Sequence, residues 1–188
     1  MGDQTMGATQ FVAFLRAVNV GGRVVKMTEL KSIFQKLGLD DVNTFIASGN
    51  VIFSASGVLS SLETKIEHGL EKSLKYAVPT MLRTTGEVAR IAAYKAFSAS
   101  ALEGASLYVG FMKREASLPA VKAARSLQTD IDELHVHGRE VFWLARKSIA
   151  EASITGAGVE RALQTPVTFR NINTVRRLSA KYPVRQES

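Results

Sequence analysis

The sequence predicts an α+β protein, and three observations carry that reading. Phe11–Leu15 is apolar at every position, the mark of a strand covered on both faces. Leu30, Ile33, Phe34 and Leu37 recur at i, i+3, i+4 and i+7, which is one stripe of an amphipathic helix. The apolar runs then follow in the order β-α-β-β-α-β, whose standard packing is the ferredoxin-like sandwich.

The elements follow in turn. Residues 1–9 are polar and contain glycine, the composition of a flexible leader. A first strand spans Gln10–Val18, and Gly21–Gly22 turn the chain into the first helix, with Thr28 as its expected N-cap and Gly38 as its stop. Val42–Ala47 reads as a strand, Ser48-Gly49-Asn50 as a tight turn, and Val51–Phe53 as the start of the partner strand. Ser60 and Glu63 have capping-box spacing ahead of a helix carrying Leu62, Ile66, Leu70 and Leu74. Ala77–Arg83 is a fourth strand. Pro79 cannot donate to a ladder, so this strand belongs at a sheet edge.

Residues 10–84 thus form the ferredoxin-like subdomain. Residues 85–182 are read as a second, smaller and less regular α+β subdomain packed against it and closed by a C-terminal helix, with 183–188 as a tail. Its parts are a helix over Glu87–Phe97, a strand over Leu107–Met112, and a helix over Leu118–Leu127 entered through Pro119. A hairpin follows around His137-Gly138, then a short helix over Ala157–Leu163 and a last one over Asn171–Ala180. The two halves share element order, but no residue-level repeat is evident.

Composition narrows the function. Among 188 residues, 46% are hydrophobic and 22% charged, the balance of a globular protein rather than a disordered polyelectrolyte. The absence of cysteine excludes disulfides, thiolate metal sites and a cysteine nucleophile. Neither an export signal nor a bilayer-length apolar run occurs, which predicts a cytoplasmic protein with no membrane partner. The net charge of +7 is concentrated in residues 161–188, where six bases face one acid. A basic segment of this kind suits a nucleic-acid backbone, although it supplies few aromatic residues for base stacking.

In the expected topology, the loop after the first strand, the N-terminus of the first helix and the hairpin between the second and third strands share one end of the sheet. That end gathers Arg16, Asn19, Gly21, Gly22, Arg23 and Lys26 with Ser48, Gly49 and Asn50. Glycines open the backbone to close approach, the helix terminus is electropositive, and the bases favour an anion. The plainer reading is that the same residues only make turns. A third segment, Thr168–Thr174, contributes Arg170, Asn171 and Thr174, with a guanidinium suited to carboxylate or phosphate. Either Asn171 or Asn173 is equally explained as a helix cap.

Catalytic motifs are lacking. Ser48 lies in no Gly-x-Ser-x-Gly elbow, and no Walker lysine follows Gly21–Gly22. No pair reads as a general base beside a nucleophile, so no reaction is assigned. His135-x-His137 offers half a metal site without an obvious third ligand, so neither a metal nor a cofactor is expected. Trp143 reads as core.

Phe11–Gly22 (FVAFLRAVNVGG), Thr44–Phe53 (TFIASGNVIF) and Thr168–Leu178 (TFRNINTVRRL) together resemble the bacterial domain of unknown function 1697 family. The resemblance runs from about Gln10 to Lys181. It implies a ferredoxin-like N-terminal subdomain followed by a second α+β subdomain, and no activity. Carried over by position, it marks Arg16, Asn19, Gly21, Gly22, Ser48, Gly49, Asn50, Thr168, Arg170, Asn171 and Thr174. Two positions depart from the family: Ala17 stands where glycine is usual, and Ile172 where tryptophan is common. The expectation is a protein binding a small phosphate- or carboxylate-bearing ligand, nucleotides included, at the loop edge of the first subdomain. The alternatives are a nucleic-acid-binding module using the basic C-terminal segment, and a structural or interaction protein without a small-molecule site.

Overall fold

The computed structural model describes residues 8–19, 24–46, 49–148 and 151–184. Among these are two four-stranded antiparallel sheets and seven helices, an α+β architecture. No helix among the described residues is long and apolar enough to cross a membrane. The chain divides into two compact units, Met1–Val88 with Tyr182–Ser188, and Ala89–Lys181.

The first unit runs β1 (Thr9–Leu15), α1 (Met27–Lys36), β2 (Asp40–Thr44), β3 (Asn50–Ala55), α2 (Leu59–Leu74), β4 (Thr80–Thr84) and the start of α3 (Thr85–Ala93). Its strand order is β2-β3-β1-β4, so β1 and β3 are central and β4 lies at an edge, immediately after Pro79. β1 begins at Thr9, inside the expected leader, whose residues 1–7 lie outside the described ones. Alternation places Phe11, Ala13 and Leu15 of β1 with Val51 and Phe53 of β3 in one core with Leu30, Ile33 and Phe34 of α1 and Leu62, Ile66 and Leu70 of α2. Phe53 anchors it, with ring centroids 5.7 Å from Phe11 and 5.6 Å from Phe34. Val12, Phe14, Ile52, Met81 and Arg83, on the alternate positions, are buried as well.

Two caps differ from the expected ones. α1 starts at Met27 with Lys26 as its N-cap, which leaves Thr28 inside the first turn. α2 starts at Leu59 with Val58 as its N-cap, so Ser60 and Glu63 form no box. Glu63 faces inward instead, and its carboxylate accepts from the Leu82 N–H at 3.1 Å. The reciprocal box stands one element later. Thr84 N–H donates to Glu87 Oε2 at 2.8 Å, and Glu87 N–H donates to Thr84 Oγ1 at 3.1 Å, opening α3. Gly38 does end α1, in the left-handed conformation at φ +72°.

The second unit contains the rest of α3, α4 (Ala99–Leu102), β5 (Ser106–Met112), α5 (Leu118–Arg125), β6 (Asp132–His137), β7 (Glu140–Ala145), α6 (Gly156–Leu163), β8 (Val167–Asn171) and α7 (Ile172–Lys181). Its strand order is β6-β7-β5-β8, the order of the first sheet with each strand replaced by its counterpart. The register matches too. Val12 pairs with Ile52 and Arg83, and Val109 pairs with Phe142 and Arg170. Ala13 pairs with Val51 and Leu82, and Gly110 with Val141 and Phe169.

A residue-level repeat therefore exists, contrary to the expectation. FVAFLR (residues 11–16) corresponds to YVGFMK (108–113), NVIFSA (50–55) to EVFWLA (140–145), and PTMLRT (79–84) to PVTFRN (166–171). Backbone joints recur with it. Arg16 N–H donates to Pro79 O at 2.9 Å, and Lys113 N–H to Pro166 O at 3.3 Å. Leu15 N–H donates to Gly49 O and Met112 N–H to Arg139 O, both at 2.9 Å.

The repeat also shows a compensation. Where the first unit has Ala13 beside Leu82, the second has Gly110 beside the larger Phe169. A Cβ on Gly110 would lie 2.6 Å from both Phe169 and Val141 and 2.8 Å from Val167. Gly110→Ala should therefore lower the unfolding free energy by about 1–3 kcal/mol, measured in denaturant, despite alanine occupying the equivalent place in the first unit.

Candidate functional site

In the first unit, the strand ends bring the two predicted loops together. Leu15 N–H donates to the carbonyl of Gly49, tying the end of β1 to the β2–β3 hairpin. Gly49 has φ +73°, and a Cβ there would come within 3.2 Å of Val18 and 3.3 Å of Leu15. Glycine is thus favoured by its dihedral, and the close approach leaves little room for a Cβ. The residue before Asn50 rests against the residue before Asn19, and the two loops share one rim.

Each loop is held by an asparagine. Asn19 adopts φ +57°, and its side-chain oxygen accepts from the Val25 N–H at 2.6 Å, stitching the two ends of the loop that contains Gly21 and Gly22. Buried Val18 and Val25 anchor it from below. Asn50 is fully buried. Its side-chain amide donates to Phe45 O, and its own carbonyl accepts from Phe45 N–H, both at 3.0 Å. Arg16 follows β1 directly and is half-buried. Lys26 is exposed at the N-cap of α1, its carbonyl accepting from the Glu29 and Leu30 N–H groups. Gly21, Gly22, Arg23 and Ser48 lie outside the described residues. The chain returns to this unit at Tyr182, whose ring meets Phe45 edge-on at 6.5 Å.

Sequence reasoning marked Ala17 only as a departure from the family pattern and passed over Ile46. Ala17 has φ +60° and Ile46 φ +52°, both in a region that L-residues with a Cβ seldom occupy. Ala17 carries a readable signal, because the resemblance leads one to expect glycine there, and glycine adopts this conformation without strain. Ile46 carries none.

Arg170, Asn171 and Thr174 belong to the second unit. The segment read as a polar lead-in to a helix is an edge strand, β8, with α7 following directly. Arg170 is buried. Its Nη1 donates to Thr168 Oγ1 at 2.9 Å and to Phe169 O at 2.8 Å, and desolvation pushes its pKa down to about 10. Its counterpart in the repeat, Arg83, is buried too and donates from Nη1 to Leu82 O at 2.8 Å. Asn171 is the cap of α7, its side-chain oxygen accepting from Asn173 N–H at 2.9 Å. Thr174 lies in the first turn of that helix, half-buried. α7 buries Ile172, Val175 and Leu178 and leaves Arg176, Arg177 and Lys181 exposed.

His135 and His137 project from one face of β6, where both engage Tyr94. The Tyr94 hydroxyl lies 2.9 Å from His135 Nε2, and the Tyr94 ring stacks on His137 at 4.4 Å. No group of three or more metal-ligating side chains occurs among the described residues. Burial, followed by the neighbouring His137 and Arg125, lowers the pKa of His135 below its ordinary 6.5. The folded state thus favours neutral His135, and the unfolded chain takes up its proton first as the pH falls. Stability from this group is complete above about pH 6.5 and is lost as the pH drops through the depressed folded value. Denaturant unfolding between pH 7.5 and 5 should show that loss, and His135→Gln should flatten it.

The strained rim makes its own prediction. Ala17→Gly should raise stability by about 0.5–1 kcal/mol in denaturant unfolding by relieving the left-handed alanine, whereas Asn19→Ala should lower it by about 1–2 kcal/mol through strain and the lost Val25 contact.

The sequence model of the family DUF1697, described as a protein of unknown function, matches residues 8–142. That span contains the rim of the first unit and ends before β8. A conserved bacterial protein, SP0830 from Streptococcus pneumoniae, has a similar structure, with a TM-score of 0.72 at 22% identity over 93% of this chain and 98% of that one. At that identity the likeness shows the fold alone. No curated protein matches the sequence. With nearly three quarters of its length matched by the family model, the chain belongs to the DUF1697 family.

Proposed function

We propose that the rim joining the β1–α1 loop to the β2–β3 hairpin binds a small anionic ligand through a phosphate or carboxylate group. The carrying observation is an asymmetry between the two copies of the repeat. In the second unit the corresponding connections are short, Lys113–Ser117 and Gly138–Arg139. In the first they extend over Arg16–Lys26 and Phe45–Gly49, and there the non-glycine residues Ala17, Asn19 and Ile46 take left-handed backbone. Loop length and strain added on one copy alone argue for a task beyond closing the sheet. Arg16 and Lys26 supply charge to this reading and Asn19 supplies orientation. Asn50 holds the hairpin from beneath. Gly21, Gly22 and Ser48 belong to the reading through the sequence. Arg170 and Asn171 are engaged within the second unit by the contacts of β8 and the cap of α7, and Thr174 stands in the first turn of that helix.

The strand orders of both sheets support assigning each unit to the ferredoxin-like βαββαβ sandwich, in which loops at one end of the sheet are free to diverge. The reading stops at binding, because the sequence carries no catalytic motif from which a reaction could be assigned.

A thermal-shift panel of inorganic phosphate and of phosphorylated and carboxylated metabolites tests the proposal. A ligand at a hundredfold its Kd should add about 2.7 kcal/mol of stability, with Arg16→Ala and Lys26→Ala reducing the response. If no anion raises the Tm, or Arg16→Ala leaves every shift intact, the proposal fails. Binding only of RNA or DNA oligonucleotides, weakening steeply with salt and abolished by Arg176→Ala/Arg177→Ala, would favour the basic face of α7 instead.

A further inference from the structure

We infer that Ile46 and Val24 receive an apolar body that the rim's ligand carries beside its anionic group, which makes that ligand an alkyl or aryl phosphate or carboxylate. This rests on the anion-binding reading above and adds what lies next to the charge.

Ile46 carries two costs at once. It stands at φ +52°, and among the described residues with positive φ it alone is β-branched, the side-chain type that suits this region least. Its side chain is also 39% exposed, so packing offsets little of the strain. Glycine or asparagine would hold the same turn with less strain. An aliphatic group kept in water on strained backbone points to something that covers it.

Val24 supplies a second aliphatic group on the β1–α1 loop. Val25 is buried and anchors that loop, whereas Val24 before it is 84% exposed and Lys26 after it is exposed too, in extended backbone. Alternate residues of an extended chain share a side, so Val24 and Lys26 project together, their Cα atoms about 6.6 Å apart. An aliphatic side chain next to an ammonium matches a molecule with a charged end and a hydrocarbon or ring beside it. A bare inorganic anion would leave both aliphatic groups in water.

Isothermal titration calorimetry with two probe series tests this: inorganic phosphate, butyl phosphate and phenyl phosphate, then acetate, hexanoate and benzoate. In one series the organic members should bind at least about tenfold tighter than the smallest anion, since each methylene covered tightens binding about fourfold. Ile46→Asn relieves strain and Val24→Ser changes a surface side chain, so both should fold, singly and together. In the double variant the affinity ratio should fall to within about twofold of one. Val58→Ser, at an exposed valine beyond the far end of β3, should keep the full ratio. Organic members that bind no tighter than the smallest anion overturn the inference and leave the anion site standing, and a ratio unchanged in the double variant overturns it equally. If no member of either series binds, the anion site and its apolar neighbour fall together.

Discussion

The central strands of both sheets are buried on both faces, and most of the molecule's organisation follows from that constraint. Phe11 and Ala13 enter the core beneath α1 and α2, while Val12 and Phe14, pointing the other way, are equally shielded from water. A sheet of this kind has no face to offer an RNA or a flat ligand. Recognition is left to the ends of the strands, where loops gather. The rim of the first unit is such an end.

Periodicity made the first unit readable because its apolar positions match their elements closely: a continuous run for a central strand, a 3.6-residue stripe for each helix, a proline next to an edge. The meeting of the two loops was legible for the same reason, since strand order fixes which loops share an end. What failed did so for local reasons. Ser60 and Glu63 satisfy a capping box by spacing, but Glu63 lies on the helix face turned toward β4, where a buried amide competes for it. β8 escaped notice because Thr168, Arg170 and Asn171 make a half-polar strand look like a helix approach, and burial of Arg170 is a tertiary fact.

The repeat was hidden for a different reason. Its matching segments are short, and the spacing between copies shrinks along the chain, from Phe11 and Tyr108 to Asn50 and Glu140 to Pro79 and Pro166. No single offset aligns them. Only the ladder pairings, which are blind to loop length, identify Val109 as the counterpart of Val12 and Arg170 as that of Arg83. The two arginines then gain meaning. Each lies on a buried strand position and turns a guanidinium N–H back onto the carbonyl of the residue before it, so the same awkward charge has been accommodated twice by the same local contact.

One copy of the repeat has lengthened its connections and the other has kept them minimal. The joints at which those connections leave the sheet, Leu15 on Gly49 and Met112 on Arg139, are the same in both. The minimal copy is therefore a blank of the elaborated one, with matching sockets. Transplanting the longer loops onto it would separate what the loops contribute by themselves from what their present surroundings lend them.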